Sequence, residues 1–111
     1  MAVTVHVADP PAFLNAIRAE IAAGKVQTWS FDKDGDFTHT PEQWRLKAWF
    51  RPRVSGDRID FLILTPQKTK MNKATYAVYH GRFIEMLLTH FDLKFSRAVA
   101  TALPIIGDRV G

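Results

Sequence analysis

The spacing of apolar residues along the chain predicts two helices. Asp9 and Pro10 place an N-cap carboxylate before a proline at the first helical position, and apolar residues then recur at helical spacing over residues 10–23. A second helix is predicted over residues 73–91. Its apolar arc covers about half of the circumference, which is wider than a helix packed on one side needs. The second helix therefore lies between two layers or contributes to a subunit interface.

Residues 25–40 alternate between apolar and polar positions around a turn-forming run, and so predict a β-hairpin. A three-residue loop over residues 33–35, with the glycine in the left-handed conformation, places Phe31 opposite Phe37. A two-residue loop would place Phe31 opposite Thr38. Aromatic cross-strand pairs contribute a few tenths to about one kcal/mol each, which favours the three-residue loop.

Four more segments bear on the sheet. Strands are predicted over residues 44–53 and 58–65, the second of which is apolar on both faces and is therefore central or covered on both sides. A short C-terminal strand over residues 94–100 is possible, and the alternation in residues 1–8 suggests a first strand or an extended arm. The predicted fold is α+β: an N-terminal helix, an antiparallel four-strand meander, and a second amphipathic helix packed on the sheet.

Composition places the chain among ordinary globular proteins. Its 111 residues are 47% hydrophobic and 23% charged, which predicts a single domain over residues 1–111, with residues 104–111 as a frayed tail. The absence of cysteine excludes disulfides, thiolate metal sites and a cysteine nucleophile. No apolar run approaches the ~20 residues that span a bilayer, and no signal peptide is recognisable. We expect a soluble, cytoplasmic protein without a membrane partner.

Basic residues are concentrated in the middle of the chain, where the predicted strand over residues 44–53 alternates basic side chains with an indole. Such a face is typical of proteins that hold single-stranded nucleic acid, because cations bind phosphates and aromatic rings stack on bases. The alternative is a solvated strand face on which the indole covers a neighbouring leucine. The candidate nucleic-acid-binding residues are Arg45, Lys47, Trp49, Arg51 and Arg53, extended by Lys68 and Lys70 of the following loop.

Catalytic and metal-binding patterns are weak in this sequence. The aspartates of the hairpin turn match the first ligand positions of a calcium-binding EF-hand loop but lack its glycine and its final glutamate, so no metal is predicted. No nucleophile motif, dinucleotide fingerprint or cofactor motif is present. His80 and His39 are the candidate general bases of an enzyme hypothesis, with His80 more simply explained as a core residue bonded to a backbone carbonyl.

The leading hypothesis is therefore a small non-catalytic binding or adaptor protein, of bacterial or phage type, that forms a homodimer or binds a protein partner. It rests on the wide apolar arc of the second helix. The candidate interface residues are Tyr76, Phe83, Met86, Leu87 and His90. Single-stranded nucleic-acid binding is the first alternative, and catalysis by a histidine base is the second.

Overall fold

A computed structural model describes residues 2–111, and these residues form two helices and one six-stranded antiparallel sheet. The elements follow the order β1 (Ala2–His6), α1 (Pro10–Ala22), β2 (Trp29–Phe31), β3 (Phe37–His39), β4 (Trp49–Ser55), β5 (Arg58–Leu64), α2 (Lys73–Phe91) and β6 (Arg97–Ala100). The strand order across the sheet is β2-β3-β4-β5-β1-β6. The predicted α+β class and the meander of β2 to β5 are confirmed. β1 and β6 extend the sheet beyond it, since β1 pairs with β5 on one side and with β6 on the other.

Both helices begin at a residue whose side chain accepts an N–H of the first turn. Asp9 accepts a hydrogen bond from the Ala12 N–H at 3.2 Å, and Asn72 accepts one from the Thr75 N–H at 2.8 Å. These caps satisfy donors that have no partner within the helix. α1 ends one residue before its predicted limit, and α2 has its predicted bounds.

The β2–β3 hairpin has the predicted three-residue loop, with Phe31 opposite Phe37. Gly35 has a φ of +84°, a conformation that glycine adopts without steric cost. The carboxylate of Asp32 closes the turn by accepting hydrogen bonds from two backbone N–H groups of the loop, each at 3.0 Å. This register places Phe37 in the core, where it is completely buried.

The two helices pack on one face of the sheet, around Phe83 of α2. The Phe83 ring is completely buried, and its centroid lies 4.7 to 6.1 Å from the centroids of four aromatic rings in the strands. Those four rings belong to Trp29, Phe37, Phe50 and Phe61. α1 joins the same core through Phe13, whose ring packs edge-on against Phe91 at 5.9 Å. Aromatic burial on this scale is the main favourable contribution to folding.

The predicted strand over residues 44–53 is wrong in its first half, because the chain turns before it reaches β4. The N–H groups of Trp44 and Arg45 both donate to the carbonyl of Pro41, at 2.8 and 2.9 Å. Tyr79 of α2 donates its hydroxyl to the Trp44 carbonyl at 2.6 Å and so holds the turn in place. A contact from a distant element thus keeps these residues out of the sheet.

The C-terminal segment over residues 104–111 is not a frayed tail, contrary to the sequence-based expectation. Asp108 accepts hydrogen bonds from the N–H groups of Ile63 and Ile105, at 2.9 and 2.8 Å. The Arg109 N–H donates to the carbonyl of Ile63 at 2.9 Å. The tail therefore occupies the edge of β5 beyond the last residue that pairs with β1.

The same tail accounts for the apolar residues on both faces of β5. We call the sheet face opposite the two helices the outer face; Leu62 and Leu64 lie on it and are nonetheless buried. Gly107 lies against Leu62 with a φ of +107°, and a Cβ at this position would lie 2.7 Å from a methyl carbon of Leu62. The tail thus covers the apolar part of the outer face at a distance that only glycine permits.

We predict that Asp108→Ala lowers the free energy of unfolding by about 2 kcal/mol, because hydrogen bonds to a charged group contribute about 1.5–3 kcal/mol. Urea denaturation followed by circular dichroism measures this change. Ile106→Ala is the matched control in the same segment, since its side chain is 91% exposed and its loss should change stability by less than about 0.5 kcal/mol. Equal stability of Asp108→Ala and the unsubstituted protein would show that the tail is not held as described.

Candidate anion-binding site at the start of helix α2

The structure divides the predicted basic ladder into two groups. Trp49, Arg51 and Arg53 occupy alternate positions of β4 and share the outer face, as predicted. Arg45 and Lys47 precede the strand and lie in the exposed turn before it. Only part of the ladder is therefore a continuous surface on the sheet.

The two arginines of β4 are engaged in ion pairs. Arg51 makes a bidentate pair with Asp36, with Nε–Oδ1 at 3.0 Å and Nη2–Oδ2 at 2.8 Å, and this hydrogen-bonded partner raises the pKa of Arg51 further. Arg53 donates to Asp60 at 3.0 Å and to the carbonyl of Ile106 at 2.9 Å. These guanidinium groups hold the hairpin and the tail against the sheet, and their charges are already compensated.

Asp60 is the buried centre of this outer-face network. Burial alone would raise its pKa, but hydrogen bonds from Thr4 and Arg53 and the positive charges of Arg58 and Arg53 outweigh it and lower the pKa. The Thr4 hydroxyl donates at 2.8 Å, and Arg58 lies 3.9 Å from the carboxylate. The group is therefore an ionised acceptor that ties β1 to β4 across β5.

Uncompensated positive charge lies elsewhere, around the start of α2. Five of the exposed basic residues that make no salt bridge within residues 2–111 come from the turn before β4, the loop after β5 and the first position of α2. We call them the lysine cluster: Arg45, Lys47, Lys68, Lys70 and Lys73. The cluster includes the two loop lysines that the sequence predicted to extend the basic ladder.

A polar cleft of about 260 Å³ opens within this cluster. Lys47 and Lys70 both line it, together with three threonines and Asn72, the N-cap of α2. Thr75 is one of these threonines: the residue is only 4% exposed, and its hydroxyl makes no hydrogen bond within residues 2–111. This hydroxyl is therefore free to bond to a ligand in the cleft.

The position of the cleft at the start of a 19-residue helix adds to its attraction for anions. The first N–H groups of a helix have no intrahelical acceptors, and the helix dipole is positive at this end. Asn72 satisfies the N–H of Thr75 with its side chain and the N–H of Tyr76 with its carbonyl. The cleft thus combines two lysines, an unpartnered hydroxyl and a positive dipole, which is chemistry suited to a phosphate group.

An apolar cavity of about 480 Å³ adjoins the cleft, and residues 70–72 line both. It lies between the first turns of α2 and the C-terminal tail, with Tyr76, Leu103 and Val110 among its lining residues. Tyr76 is 6% exposed, and its hydroxyl is buried without a hydrogen-bond partner within residues 2–111. The volume lies in the range of small-molecule sites, which are mostly apolar with a few polar groups.

The apolar arc of α2 is the packing surface of the helix, which corrects the interface expectation. Phe83 and Leu87 are completely buried, Tyr76 and Met86 are at most 6% exposed, and only His90 is exposed. The arc is wide because α2 contacts the sheet, α1 and the C-terminal segments together. These four core residues are therefore not available to a protein partner.

The two candidate general bases are embedded in the core. His80 is 4% exposed, its Nδ1 lies 2.6 Å from the Tyr76 carbonyl, and its ring stacks on Tyr76. His39 stacks on Trp29, and its Nδ1 lies 2.8 Å from the carbonyl of Thr28. Burial lowers the pKa of His39, against the opposing effect of the Thr28 carbonyl. His39 borders a shallow cleft of about 210 Å³, whereas His80 lines none of the cavities described.

Asp32, Asp34 and Asp36 of the hairpin bring carboxylate oxygens within 4.8 Å of one another, as a bound metal ion would require. Two of these three carboxylates already hold the fold together. Both carboxylate oxygens of Asp36 accept hydrogen bonds from Arg51, and Oδ1 of Asp32 accepts hydrogen bonds from two backbone N–H groups. A cation here would compete with a bidentate guanidinium.

Within residues 2–111, neither helix is long and apolar enough to cross a membrane. Comparison of the chain with protein-family models, curated proteins and solved structures found no match. Function is therefore argued from the geometry of the site.

The buried state of His39 predicts a loss of stability in mild acid. Because burial lowers its pKa in the folded protein, the unfolded chain binds a proton more readily once the pH falls below about 6.5. Unfolding is then favoured, and the midpoint of thermal unfolding should fall between pH 7.5 and pH 5.5.

His39→Gln should reduce this fall, whereas His90→Gln, at an exposed position, should leave it as in the unsubstituted protein. Calorimetry of the three proteins at both pH values measures the effect. The same fall in all three would assign the acid sensitivity to other groups.

Proposed function

We propose that this protein binds single-stranded nucleic acid, with the lysine cluster as its phosphate-binding surface. The observation that carries the proposal is a polar cleft at the start of α2 that two uncompensated lysines, Lys47 and Lys70, line directly. The other three residues of the lysine cluster each lie next in the chain to a residue that lines the cleft. Cations that already have carboxylate partners contribute little to binding a further anion. Those without partners release counterions from the nucleic acid and supply affinity.

Trp49 supplies the second part of the argument. It is the first residue of β4, it is half-buried, and it lies directly across from Leu64, the last residue of β5. Lys47 precedes it by two residues, and Thr65 of the cleft follows Leu64. The indole therefore stands at the end of the sheet that adjoins the cleft. A base stacked on this ring would belong to a strand whose phosphates lie on the lysine cluster.

The choice of a single strand over a duplex follows from the shape of this surface. None of the exposed basic residues of the cluster lies on a free helix face that could enter a major groove, since Lys73 sits at the first position of a helix packed on the sheet. Loops and a strand end present an aromatic ring beside cations, which suits unpaired bases. Homo-oligomerisation remains a prediction. The apolar arc of α2, which was first assigned to it, packs in the core and is not its interface.

We predict that Lys47→Ala and Lys70→Ala each weaken binding of labelled single-stranded RNA or DNA. Each removes one phosphate contact, so the slope of log affinity against log salt should become shallower by about 0.7 per lysine. Fluorescence anisotropy at three or more salt concentrations measures affinity and slope together. Lys33→Ala is the matched control, because it removes the same charge from the hairpin loop and should retain the slope. No binding at low salt would refute the proposal.

We further predict that Trp49→Ala weakens strand binding on the order of 10-fold, since stacking of one base contributes about 1–3 kcal/mol. Trp49→Phe keeps an aromatic face and should recover most of the affinity, whereas Trp49→Leu keeps packing against Leu64 without stacking. Unfolding midpoints of the three variants identify any loss that comes from stability alone. If Trp49→Leu binds as tightly as Trp49→Phe, the indole only covers the sheet.

A further inference from the structure

We infer that the cleft and the adjoining apolar cavity form one site for a terminal nucleotide that carries a phosphate. The inference rests on the proposed function and specifies which part of the strand is recognised. Residues 70–72 line both spaces, so a ligand that lies across this segment reaches a cationic polar compartment on one side and an apolar compartment on the other. A nucleotide phosphate monoester has these two chemistries joined in one molecule.

The polar compartment fits the phosphate. Lys47 and Lys70 supply charge, and Thr75, a residue only 4% exposed, lines the cleft with a hydroxyl that makes no hydrogen bond within residues 2–111. A terminal phosphate carries more charge and more free acceptor oxygens than a phosphodiester inside a strand. Charge-assisted hydrogen bonds are about twice as strong as neutral ones, so a monoester gains more than an internal linkage at this site.

The apolar compartment fits the base. Met71, Leu103 and Val110 are among its lining residues, and so is Tyr76, whose hydroxyl is buried without a hydrogen-bond partner within residues 2–111. Bases need apolar contact for their faces and hydrogen bonds for their edges. Tyr76 can supply one such bond, which would also satisfy its own hydroxyl.

Charge favours this occupant over a second protein or a purely apolar ligand. Lys70 lines both compartments and Lys73 lines the apolar one, and neither has a carboxylate partner within residues 2–111. An uncharged apolar ligand would leave these ammonium groups and the Thr75 hydroxyl uncompensated. A nucleotide anion satisfies both compartments at once.

Calorimetric titration with mononucleotides tests the site, using 5′-AMP, 3′-AMP, adenosine and inorganic phosphate as separate probes. We expect one of the nucleotides to bind at least about 10-fold more tightly than adenosine or phosphate alone, because only the nucleotide fills both compartments. Thr75→Val removes the hydroxyl at constant shape and should weaken the nucleotide about 10-fold, with adenosine unaffected. Tyr76→Phe should weaken the nucleotide and adenosine alike, with inorganic phosphate unaffected. Lys33→Ala should change none of these affinities.

Strands with a 5′-phosphate, a 3′-phosphate or hydroxyl ends separate this inference from the proposed function. Tighter binding of one phosphorylated strand, lost in Thr75→Val, supports the terminal site. Equal binding of all three strands, without competition by either mononucleotide, would overturn the terminal site and leave strand binding intact. Nucleotide binding with no strand binding would overturn the proposed function instead. Thermal unfolding of each variant shows that it is folded before its affinity is interpreted.

Discussion

The packing of Phe83 against the aromatic rings of the sheet is the constraint on which the remaining architecture depends. Four rings from β2, β3, β4 and β5 surround it, so these strands must keep the register that turns their aromatic positions toward α2. A one-residue slip in any strand would turn those rings to the outer face. With both helices engaged on one side, the chain has only its C-terminal tail with which to cover the apolar residues of the other.

This one-sided packing also decides which charges are free. The outer face of β4 is polar because it faces water, and its arginines meet the carboxylates that the hairpin and β5 bring to the same face. The acidic hairpin and the basic strand, separate in the sequence, therefore neutralise each other in the fold. Part of the positive charge that has no carboxylate partner lies in the turn before β4 and the loop after β5, on either side of the cleft.

Local patterns were sufficient to predict what depends on neighbouring residues. The cap of α1, the hairpin loop and the central position of β5 were predicted, because they follow from turn chemistry, residue spacing and apolar periodicity. Contacts between distant segments could not be predicted from local patterns. The hydroxyl of Tyr79 holds Trp44 in a turn where the sequence predicted a strand, and Asp108 anchors a tail that the sequence predicted to be frayed.

The candidate site shows the same division between features that local patterns predict and features that depend on distant contacts. Lys68 and Lys70 were predicted from their charge, but the cleft beside them depends on the turn that Tyr79 holds and on the tail over β5, and no periodicity reveals either.

Backbone strain is found around the same cleft. The two non-glycine residues with a left-handed backbone within residues 2–111 are Leu46, with a φ of 59°, and Lys68, with a φ of 62°. Leu46 lines the cleft, and Lys68 belongs to the loop that closes it. Such conformations cost on the order of 1 kcal/mol or more each and persist where surrounding structure imposes them, commonly at binding sites. Both strained residues therefore lie where the uncompensated charges and the unpartnered hydroxyl also lie, which is the coincidence that a bound anion would explain.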